Sequence, residues 1–312
     1  MNGSETSPLV YVVVLSWNGK EDTVRCLHSL APVADRRIRV LLADNGSVDG
    51  TQDMVGREFP WVEISENHEN LGYAGGNNEG IRYALGRGAD YILLLNNDTV
   101  VGPDFVREMV RVMQSSATIG FVSPKIYFFD EPDRIWFAGA RYSVYTGHGR
   151  VTGYREKDLG QYEQAREIGR PCGCALLVSR SVCQEVGLLD PGTFLYMDEI
   201  DWMLRARKKG YKAYLAPKAK VWHRVSSSAG GEDHPNAFYY SVRNTLHLLN
   251  AHARLAPSPL NWVRNGVVLV VFLLALAGSP APKWEGIRAI ADGVRDYLKG
   301  VRGARVQRSP CA

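Results

Sequence analysis

Short apolar runs alternate with amphipathic segments along the first third of the chain. The runs at residues 9–15, 38–43 and 91–95 are rich in β-branched and aliphatic residues, which is typical of strands buried on both faces of a sheet. A shorter run at 61–65 predicts one more strand. The segments between the strands place their apolar residues at helical spacing. This order predicts an α/β fold, with a mostly parallel central sheet and helices on both faces.

Beyond about residue 119 the pattern is less regular. It predicts strands, a glycine-rich hairpin and one helix, in the segments 119–129, 135–150, 173–179, 198–210, 211–217 and 219–225. From about residue 235 onward the pattern is helical. We therefore expect an α/β domain over residues 1–234 and a helical C-terminal extension over residues 235–312.

Polar and glycine-rich clusters follow four of the predicted strands: "SWNG", "DNGSVDGT", "ENLGYAGGNN" and "NND". A turn explains any one cluster equally well, because Asn, Asp and Gly are turn-forming residues. In open parallel sheets, however, ligands bind beyond the carboxyl ends of the strands, so four such clusters favour a shared site. Its candidate residues are Ser16, Asn18, Asp44, Gly72, Ala74, Gly75, Asn77, Asn96, Asn97 and Asp98.

The composition narrows the class of protein. A net charge of +4 over 312 residues does not indicate nucleic acid binding. The N-terminus lacks the basic and apolar regions of a secretory signal, and five cysteines without a framework spacing predict reduced thiols, so we expect a cytoplasmic protein. Cys172 and Cys174 form a C-x-C without a second pair, which argues against structural zinc. We expect both cysteines in the core.

Neither a G-x-G-x-x-G fingerprint after the first strand nor a Walker A sequence is present, so a nucleotide would be held by side chains and a metal. Six motifs occur in order: "VVVLSWNG", "LLADNGSVDGT", "ENLGYAGGNNEGI", "LLLNNDTVV", "FLYMDEIDWMLRARKKGY" and "KVWHRVSSS". A looser match follows at "YYSVRN". Over about residues 9–228 the chain thereby resembles the family 2 glycosyltransferases, especially the bacterial rhamnosyltransferase-like branch.

The resemblance implies a GT-A fold, a nucleotide-sugar donor, a divalent metal ion and inversion at the anomeric carbon. It implies a nucleotide-sugar half over about residues 1–118 and an acceptor half over about 119–234. The expected donor is linked to dTDP or UDP, with rhamnose as the first choice of sugar. The expected acceptor is a glycan or a lipid-linked glycan of cell-surface polysaccharide synthesis.

The resemblance also assigns the metal ligands. The segment "NND" stands where the family has its D-x-D signature, so Asp98 is expected to bind Mn²⁺ or Mg²⁺. Asn96 replaces the first carboxylate and is expected to contact the ribose or a water. His223 resembles a histidine that coordinates the same ion, although a packed histidine at a strand end is the alternative.

The remaining clusters are expected to surround the nucleotide. Asp44 matches the family position whose carboxylate accepts the N3–H of uracil or thymine. Gly72, Ala74, Gly75 and Asn77 are expected along the nucleotide and sugar, where small residues allow close backbone approach. Ser16, Asn18 and Asn97 complete the expected nucleotide-sugar site.

The segment "MDEIDW" carries the expected general base. By register with the family the base is Glu199, and Asp198 is the alternative because the acidic pair appears here as Asp-Glu. An inverting transfer needs a carboxylate that takes the proton of the acceptor hydroxyl. Acidic residues in a first helical turn also stabilise the positive end of the helix, and this role suits Asp198.

The apolar run at residues 267–277 is eleven residues long, which we take as too short to span a bilayer. Trp262 and Trp284 flank the run, and a basic tail follows at 299–308. These flanks favour peripheral contact with the cytoplasmic face of a membrane. The rival is that Phe272, Leu274 and their neighbours pack against the protein or a second subunit.

Two other functions compete with glycosyl transfer. A nucleotidyltransferase would want a glycine-rich loop with basic residues after the first strand, which "SWNGKED" does not supply. A non-catalytic sugar-nucleotide-binding protein would not need Asp98, His223 and Glu199 together.

Overall fold

A computed structural model describes residues 7–224, 234–253 and 259–305. The first six residues of the N-terminus, on which the prediction about a signal partly rests, lie outside these ranges. So do residues 225–228 of the sixth motif, residues 306–308 of the basic tail, and Cys311.

The first part of the chain alternates strands and helices as the hydrophobic pattern predicts. Its elements are β1 (Val10–Ser16), α1 (Lys20–Leu30), β2 (Ile38–Asp44), α2 (Thr51–Glu58), β3 (Glu63–Glu66), α3 (Gly72–Gly86) and β4 (Tyr91–Asn96). Helix α3 begins at Gly72 and so includes the "GYAGG" segment. Gly80 allows α3 to lie close to β1, because a Cβ there would stand 2.3 Å from a Val13 methyl carbon.

The second part adds the other side of the sheet. Its elements are β5 (Thr99–Val101), α4 (Phe105–Met113), β6 (Ile119–Phe128), β7 (Ile135–Phe137), β8 (Ala140–Ser143), β9 (His148–Val151), β10 (Arg166–Ile168), β11 (Ala175–Ser179), α5 (Arg180–Glu185), α6 (Asp198–Arg207) and β12 (Lys212–His223). The two short β pieces predicted at 211–225 are one strand, β12. Its register against β6 shifts between Ala216 and Lys220, a stretch that contains Pro217, which has no N–H to pair.

The central sheet has the strand order β10-β12-β6-β11-β4-β1-β2-β3, with β5 paired to β12 and β7 to β6. Strands β1 to β4 run parallel, whereas β11 runs antiparallel to both β4 and β6. The register sets Ser16 beside Asp44, and Leu15 beside Asn96. The carboxyl ends of β1, β2 and β4 therefore meet at one edge, as the polar clusters require.

Helices α7 (Pro235–His252), α8 (Pro259–Gly278) and α9 (Lys283–Leu298) form the C-terminal extension. They build a second apolar cluster, which also includes Ile200 of α6 and the loop that precedes α6. Helix α8 has 20 residues and a mean hydropathy of 1.9, so by length and composition it could cross a membrane. The expectation that this segment is too short was wrong, because it counted only the uninterrupted apolar run.

The loop before α6 has a strained backbone. Phe194, Tyr196 and Met197 adopt φ angles of 65°, 63° and 69°, a left-handed region that side chains other than glycine rarely occupy. Each such residue costs on the order of 1–3 kcal/mol unless the surrounding structure enforces it. The strain ends directly at Asp198, the first residue of α6.

Two buried side chains of α7 enforce this loop. The Asn244 amide donates to the carbonyl oxygens of Thr193, Leu195 and Tyr196, at 2.9, 2.7 and 3.1 Å. The Arg243 guanidinium donates to the Thr193 carbonyl at 2.9 Å and is fully buried. These residues lie in the "YYSVRN" segment, whose looser match to the family gave no role for them. The C-terminal extension thus shapes the approach to α6.

We predict that Gly293→Ala weakens the packing of α9 on α7. An added Cβ would stand 2.7 Å from the Tyr239 carbonyl oxygen and 2.5 Å from a Val242 methyl carbon, and backbone cannot yield as a flexible side chain can. Overpacking of this kind costs about 1–3 kcal/mol, so the thermal midpoint should fall by several degrees. Gly266→Ala in α8 is the matched control, because nothing lies within 4 Å of its Cβ. Equal midpoints for the two variants would contradict this account.

Candidate active site

Asp98 and His223 are brought together by the pairing of β5 with β12. Asp98 lies in the turn between β4 and β5, and His223 at the end of β12 is level with Thr99. The distance from Asp98 Oδ1 to His223 Nε2 is 3.1 Å, and both side chains are buried. Trp136 packs edge-on against the imidazole, with ring centroids 5.0 Å apart.

This pair has the geometry expected of two ligands of one ion. Ligand atoms about 2.1 Å from a divalent ion, at right angles, lie about 3 Å apart. Within residues 7–224, 234–253 and 259–305, no group of three or more His, Cys, Asp or Glu side chains could hold a metal. An ion held by Asp98 and His223 would therefore complete its shell with diphosphate oxygens and water.

Asp44 ends β2 and is completely buried. Its Oδ2 accepts hydrogen bonds from the Ser47 backbone N–H at 2.9 Å and from the Gln52 amide at 2.6 Å. Its Oδ1 has no hydrogen-bond partner among the residues that the structure describes. A buried carboxylate oxygen without a donor is costly, so Asp44 fits the role of accepting an N–H from a pyrimidine base. That role stays a prediction.

Asn45, which the sequence motifs did not single out for a role, organises the loop after β3. Its amide donates to Asn70 Oδ1 at 3.0 Å and to the Gly72 carbonyl at 3.1 Å, and its oxygen accepts from Asn67 and from the Leu71 N–H. The position directly after Asp44, at a strand end, was the available signal. Asn45 therefore connects the proposed base pocket to the start of α3.

The glycine-rich start of α3 uses its small residues for packing within the protein. Gly72 has a φ of 72°, and a Cβ there would stand 2.4 Å from the Phe194 carbonyl oxygen. A Cβ on Gly75 would stand 2.7 Å from Leu71 Cβ, which is closer than van der Waals contact, and Ala74 is fully buried. Asn77 donates to the Tyr73 carbonyl, while its buried Oδ1 has no partner among the described residues. Direct contact of these four residues with a nucleotide sugar remains a prediction.

Three further candidates join neighbouring strand ends to one another. The Asn97 amide donates to Thr23 Oγ1 at 3.0 Å and to Ser16 Oγ at 3.4 Å. The backbone N–H of Asn18 donates to Ser47 Oγ, and Asn18 Oδ1 accepts from the Val48 N–H. These contacts hold the rim of the site together. Asn96 lies beside them, half-buried, at the end of β4.

Asp198 and Glu199 are neighbours in α6 but have different surroundings. Asp198 is 2% exposed, and burial, together with the charge of Glu199, raises its pKa well above the usual range, although the Thr193 hydroxyl donates a hydrogen bond that opposes the rise. Glu199 instead has Arg170 as an ionic partner, with 3.3 Å between Nε and Oε1. Burial disfavours the charged form of Asp198, whereas Glu199 has a cationic partner, and this difference favours Glu199 as the proton acceptor.

The loop between β10 and β11 lies near both the acidic pair and the Asp98–His223 pair. Cys172 and Cys174 are buried, with their sulfur atoms 3.5 Å apart. Burial, the adjacent Cys172 and the charges of Asp98 and Glu199 raise the pKa of the Cys174 thiol, so both acidic groups act on it. Between the cysteines, the Gly173 carbonyl accepts a 2.6 Å hydrogen bond from the Tyr73 hydroxyl. Glu199 lies beside this loop as well, because a Cβ on Gly173 would stand 3.8 Å from Glu199 Oε2. That Asp98, His223 and Glu199 act in one site stays a prediction.

Comparisons with known proteins identify the family. The sequence profile described as "Glycosyl transferase family 2" matches residues 11–187, more than half of the chain. The chain belongs to glycosyltransferase family 2. It is therefore a transferase that acts with nucleotide sugars, which removes the nucleotidyltransferase and the non-catalytic binding protein as alternatives.

Individual relatives are similar to the chain over most of its length. It is 28% identical over 278 residues to the N-acetylglucosaminyl-diphospho-decaprenol L-rhamnosyltransferase of Mycobacterium tuberculosis, covering 82% of this chain and 89% of that protein. It is 21% identical over 303 residues to the dTDP-rhamnosyl transferase RfbF of Shigella flexneri, covering 94% and 97%. The resemblance to the rhamnosyltransferase-like branch is thus confirmed.

The fold comparison confirms the expected GT-A architecture. A mannosyltransferase from Pyrobaculum calidifontis, solved in complex with GDP-Man and Mn²⁺, superposes with a TM-score of 0.59 at 14% identity. The superposition covers 94% of this chain and 88% of that one. At this identity the likeness concerns the fold alone.

We predict that Asp98→Ala abolishes Mn²⁺-dependent binding of a nucleoside diphosphate, because it removes the charged ligand of the pair. His223→Ala should weaken binding less, since a neutral imidazole contributes no charge. Calorimetric titration of dTDP and UDP, with and without Mn²⁺, measures both effects. Asp104→Ala, which removes an exposed carboxylate before α4, is the control. Wild-type affinity in Asp98→Ala would show that the ion is held elsewhere.

Proposed function

We propose that this chain is a metal-dependent, inverting rhamnosyltransferase that transfers the sugar from a dTDP-linked donor, with UDP as the alternative nucleotide. The acceptor is a hydroxyl of a lipid-linked glycan in cell-surface polysaccharide synthesis. The names of two relatives support both substrates, since one contains a diphospho-decaprenol acceptor and the other a dTDP-rhamnosyl donor. The observations that carry the chemistry are the Asp98–His223 pair and the position of Glu199, which Arg170 contacts and which lies beside Gly173.

Glu199 would act as the general base. The acceptor hydroxyl oxygen attacks the anomeric carbon from the face opposite the nucleotide, and Glu199 takes the proton that the hydroxyl loses. The bond from the anomeric carbon to the phosphate oxygen breaks, and the nucleoside diphosphate departs with that electron pair. Asp44 would orient the base of the nucleotide through its Oδ1.

Asp98 and His223 would hold Mn²⁺ or Mg²⁺, which supplies positive charge to the departing diphosphate. Residues up to about 118 would bind the nucleotide sugar, and residues 119–234 would face the acceptor. The boundary at residue 234 separates the domains only in sequence, because Arg243 and Asn244 from the extension hold the loop before Glu199.

Glu199→Gln should lower turnover by roughly 10² or more, as for loss of a general base, while donor affinity stays near that of the wild type. Asp198→Asn should have a small effect, because asparagine imitates the protonated carboxyl that burial favours. Transfer from dTDP-rhamnose, followed by release of dTDP, measures turnover, and calorimetry measures donor binding. If Asp198→Asn abolishes transfer and Glu199→Gln does not, Asp198 is the base.

A second part of the proposal concerns the membrane. Helix α8 packs on α7 and α9 along one side, where Val268 and Leu276 are buried. Its other side is apolar and exposed: Trp262, Val263 and Leu274 are 66–68% exposed. Beside it an apolar groove of about 550 Å³ runs between α8 and α9, lined by Leu269, Leu273, Ile287, Ile290 and their neighbours. So large an exposed apolar surface is typical of a contact site.

We propose that this surface rests on the cytoplasmic face of a membrane that carries the acceptor. Trp284, 74% exposed, extends the surface onto α9. The basic tail contributes less charge than its sequence indicates, because Arg302 pairs with Asp190 and Arg305 with Asp292. Apolar contact, rather than attraction to anionic lipid, would therefore dominate. The rival, a second copy of this chain, would bury the same surface.

The double variant Val263→Glu, Leu274→Glu should lose sedimentation with phosphatidylglycerol vesicles while donor binding is kept, because two carboxylates would have to enter the apolar interface. Leu159→Glu is the matched control, since Leu159 is an equally exposed leucine far along the chain from α8. Light scattering in the absence of vesicles tests the rival. A wild-type dimer that ignores vesicles, and that the double variant turns into a monomer, would contradict the membrane contact.

A further inference from the structure

Two hydrogen-bond donors beside Glu199 have no acceptor among the described residues. Arg170 Nε lies 3.3 Å from Glu199 Oε1, but the geometry makes an ion pair without a hydrogen bond. The Tyr142 hydroxyl is shielded from solvent and also has no partner. Buried donors nearly always find an acceptor, so two such donors at one place call for a ligand that brings oxygen atoms.

The two donors are held by the hairpin of β8 and β9. The Arg170 N–H donates to the Ala140 carbonyl at 3.0 Å, and the Arg170 guanidinium lies under Gly149, where a Cβ would stand 3.3 Å from Nη1. The ring of Tyr142 packs against the apolar cluster of the C-terminal extension. Burial raises the pKa of the Tyr142 hydroxyl, which therefore keeps its proton and acts as a donor. Both donors are thus positioned by backbone and packing before any ligand arrives.

The same hairpin reaches the helix that we assign to the membrane contact. At its tip, a Cβ on Gly147 would lie 2.8 Å from Thr245 of α7 and 3.4 Å from Val268 of α8. The hairpin therefore lies beside Arg170 at Gly149 and contacts α7 and α8 at its tip. An acceptor anchored in lipid beside α8 would meet Arg170 and Tyr142 on its way to the proposed base.

Arg170 is also the more accessible partner of its ion pair. Its side chain is 28% exposed, whereas that of Glu199 is 11% exposed. An anion from solvent can therefore approach the guanidinium without first displacing Glu199. Guanidinium groups favour phosphate oxygens, which they bind through two or more parallel hydrogen bonds.

We propose that Arg170 and Tyr142 form the subsite for the phosphate group of the acceptor, and that Arg170 exchanges Glu199 for this phosphate when the acceptor binds. With the acceptor absent, Arg170 holds the Glu199 carboxylate. With the acceptor present, the phosphate takes the guanidinium, and Glu199 is free to receive the proton of the attacking hydroxyl. The subsite rests on the proposed function, since it assigns the acceptor of that same reaction.

A binding experiment tests the subsite apart from catalysis. The full chain, with its donor site filled by dTDP and Mn²⁺, is titrated calorimetrically with geranyl diphosphate, with inorganic pyrophosphate and with geraniol. We expect geranyl diphosphate to bind, and Arg170→Met to weaken its binding about 10-fold or more, as for loss of a charge-assisted hydrogen bond. Tyr142→Phe, which removes a single oxygen, should weaken it about 3- to 10-fold. Binding of geraniol should be the same in all variants.

Two further variants sharpen the result. Arg141 is an exposed arginine on the same hairpin, and successive residues of a strand point to opposite faces, so Arg141→Met is the matched control and should bind as wild type. Glu199→Gln removes the competitor for Arg170 and should strengthen binding a few-fold.

An equal loss in Arg170→Met and Arg141→Met, or weaker binding in Glu199→Gln, would overturn the subsite. Pyrophosphate bound as tightly as geranyl diphosphate would overturn the assignment to a lipid-linked phosphate. Failure of transfer from dTDP-rhamnose with this binding intact would overturn the proposed function alone.

Discussion

The three hydrogen bonds from Asn244 to the loop before α6 are the constraint on which the acceptor side of this enzyme depends. The loop holds three residues other than glycine in left-handed conformations, directly before Asp198 and Glu199. Such strain persists only where other contacts enforce it. Asn244 and Arg243 supply those contacts from α7, with both side chains buried. The direction in which α6 begins, and so the position of Glu199, is therefore decided by the C-terminal extension.

The C-terminal extension therefore has a structural role in the site, because it holds the loop before α6. Its helices do more than add an apolar surface, because α9 holds α7 through the close approach at Gly293. A hydrogen bond of 2.9 Å from the Tyr239 hydroxyl to Asp296 Oδ2 connects the same two helices. The helices that carry the proposed membrane contact thus pack on α7, and α7 in turn holds the loop before the proposed base. An arrangement of this kind suits an enzyme whose acceptor is held at a lipid surface.

The donor side of the site depends on the sheet instead. Parallel pairing brings the ends of β1, β2 and β4 to one edge, and the antiparallel pairing of β5 with β12 adds His223 to Asp98. Two adjacent carboxyl groups then differ by environment. Burial raises the pKa of Asp198, while Glu199 lies 3.3 Å from the Arg170 guanidinium. Neighbours in sequence can therefore have separate roles, one structural and one chemical.

The sequence by itself determined the α/β class, most of the strands and helices, and the family, because hydrophobic periodicity and six ordered motifs are local properties. The pattern also indicated Asp44 and Asp98, since each stands at the end of a predicted strand, and the resemblance to the family indicated Glu199. Only the tertiary structure decided that β12 is a single strand and that α8 is 20 residues long with one side exposed. It alone placed Arg170 beside Glu199, Tyr142 near both, and Asn244 under the strained loop. The physical reason is that these contacts join segments far apart in the chain, and a pattern read along the chain contains no information about which distant side chains share a buried space.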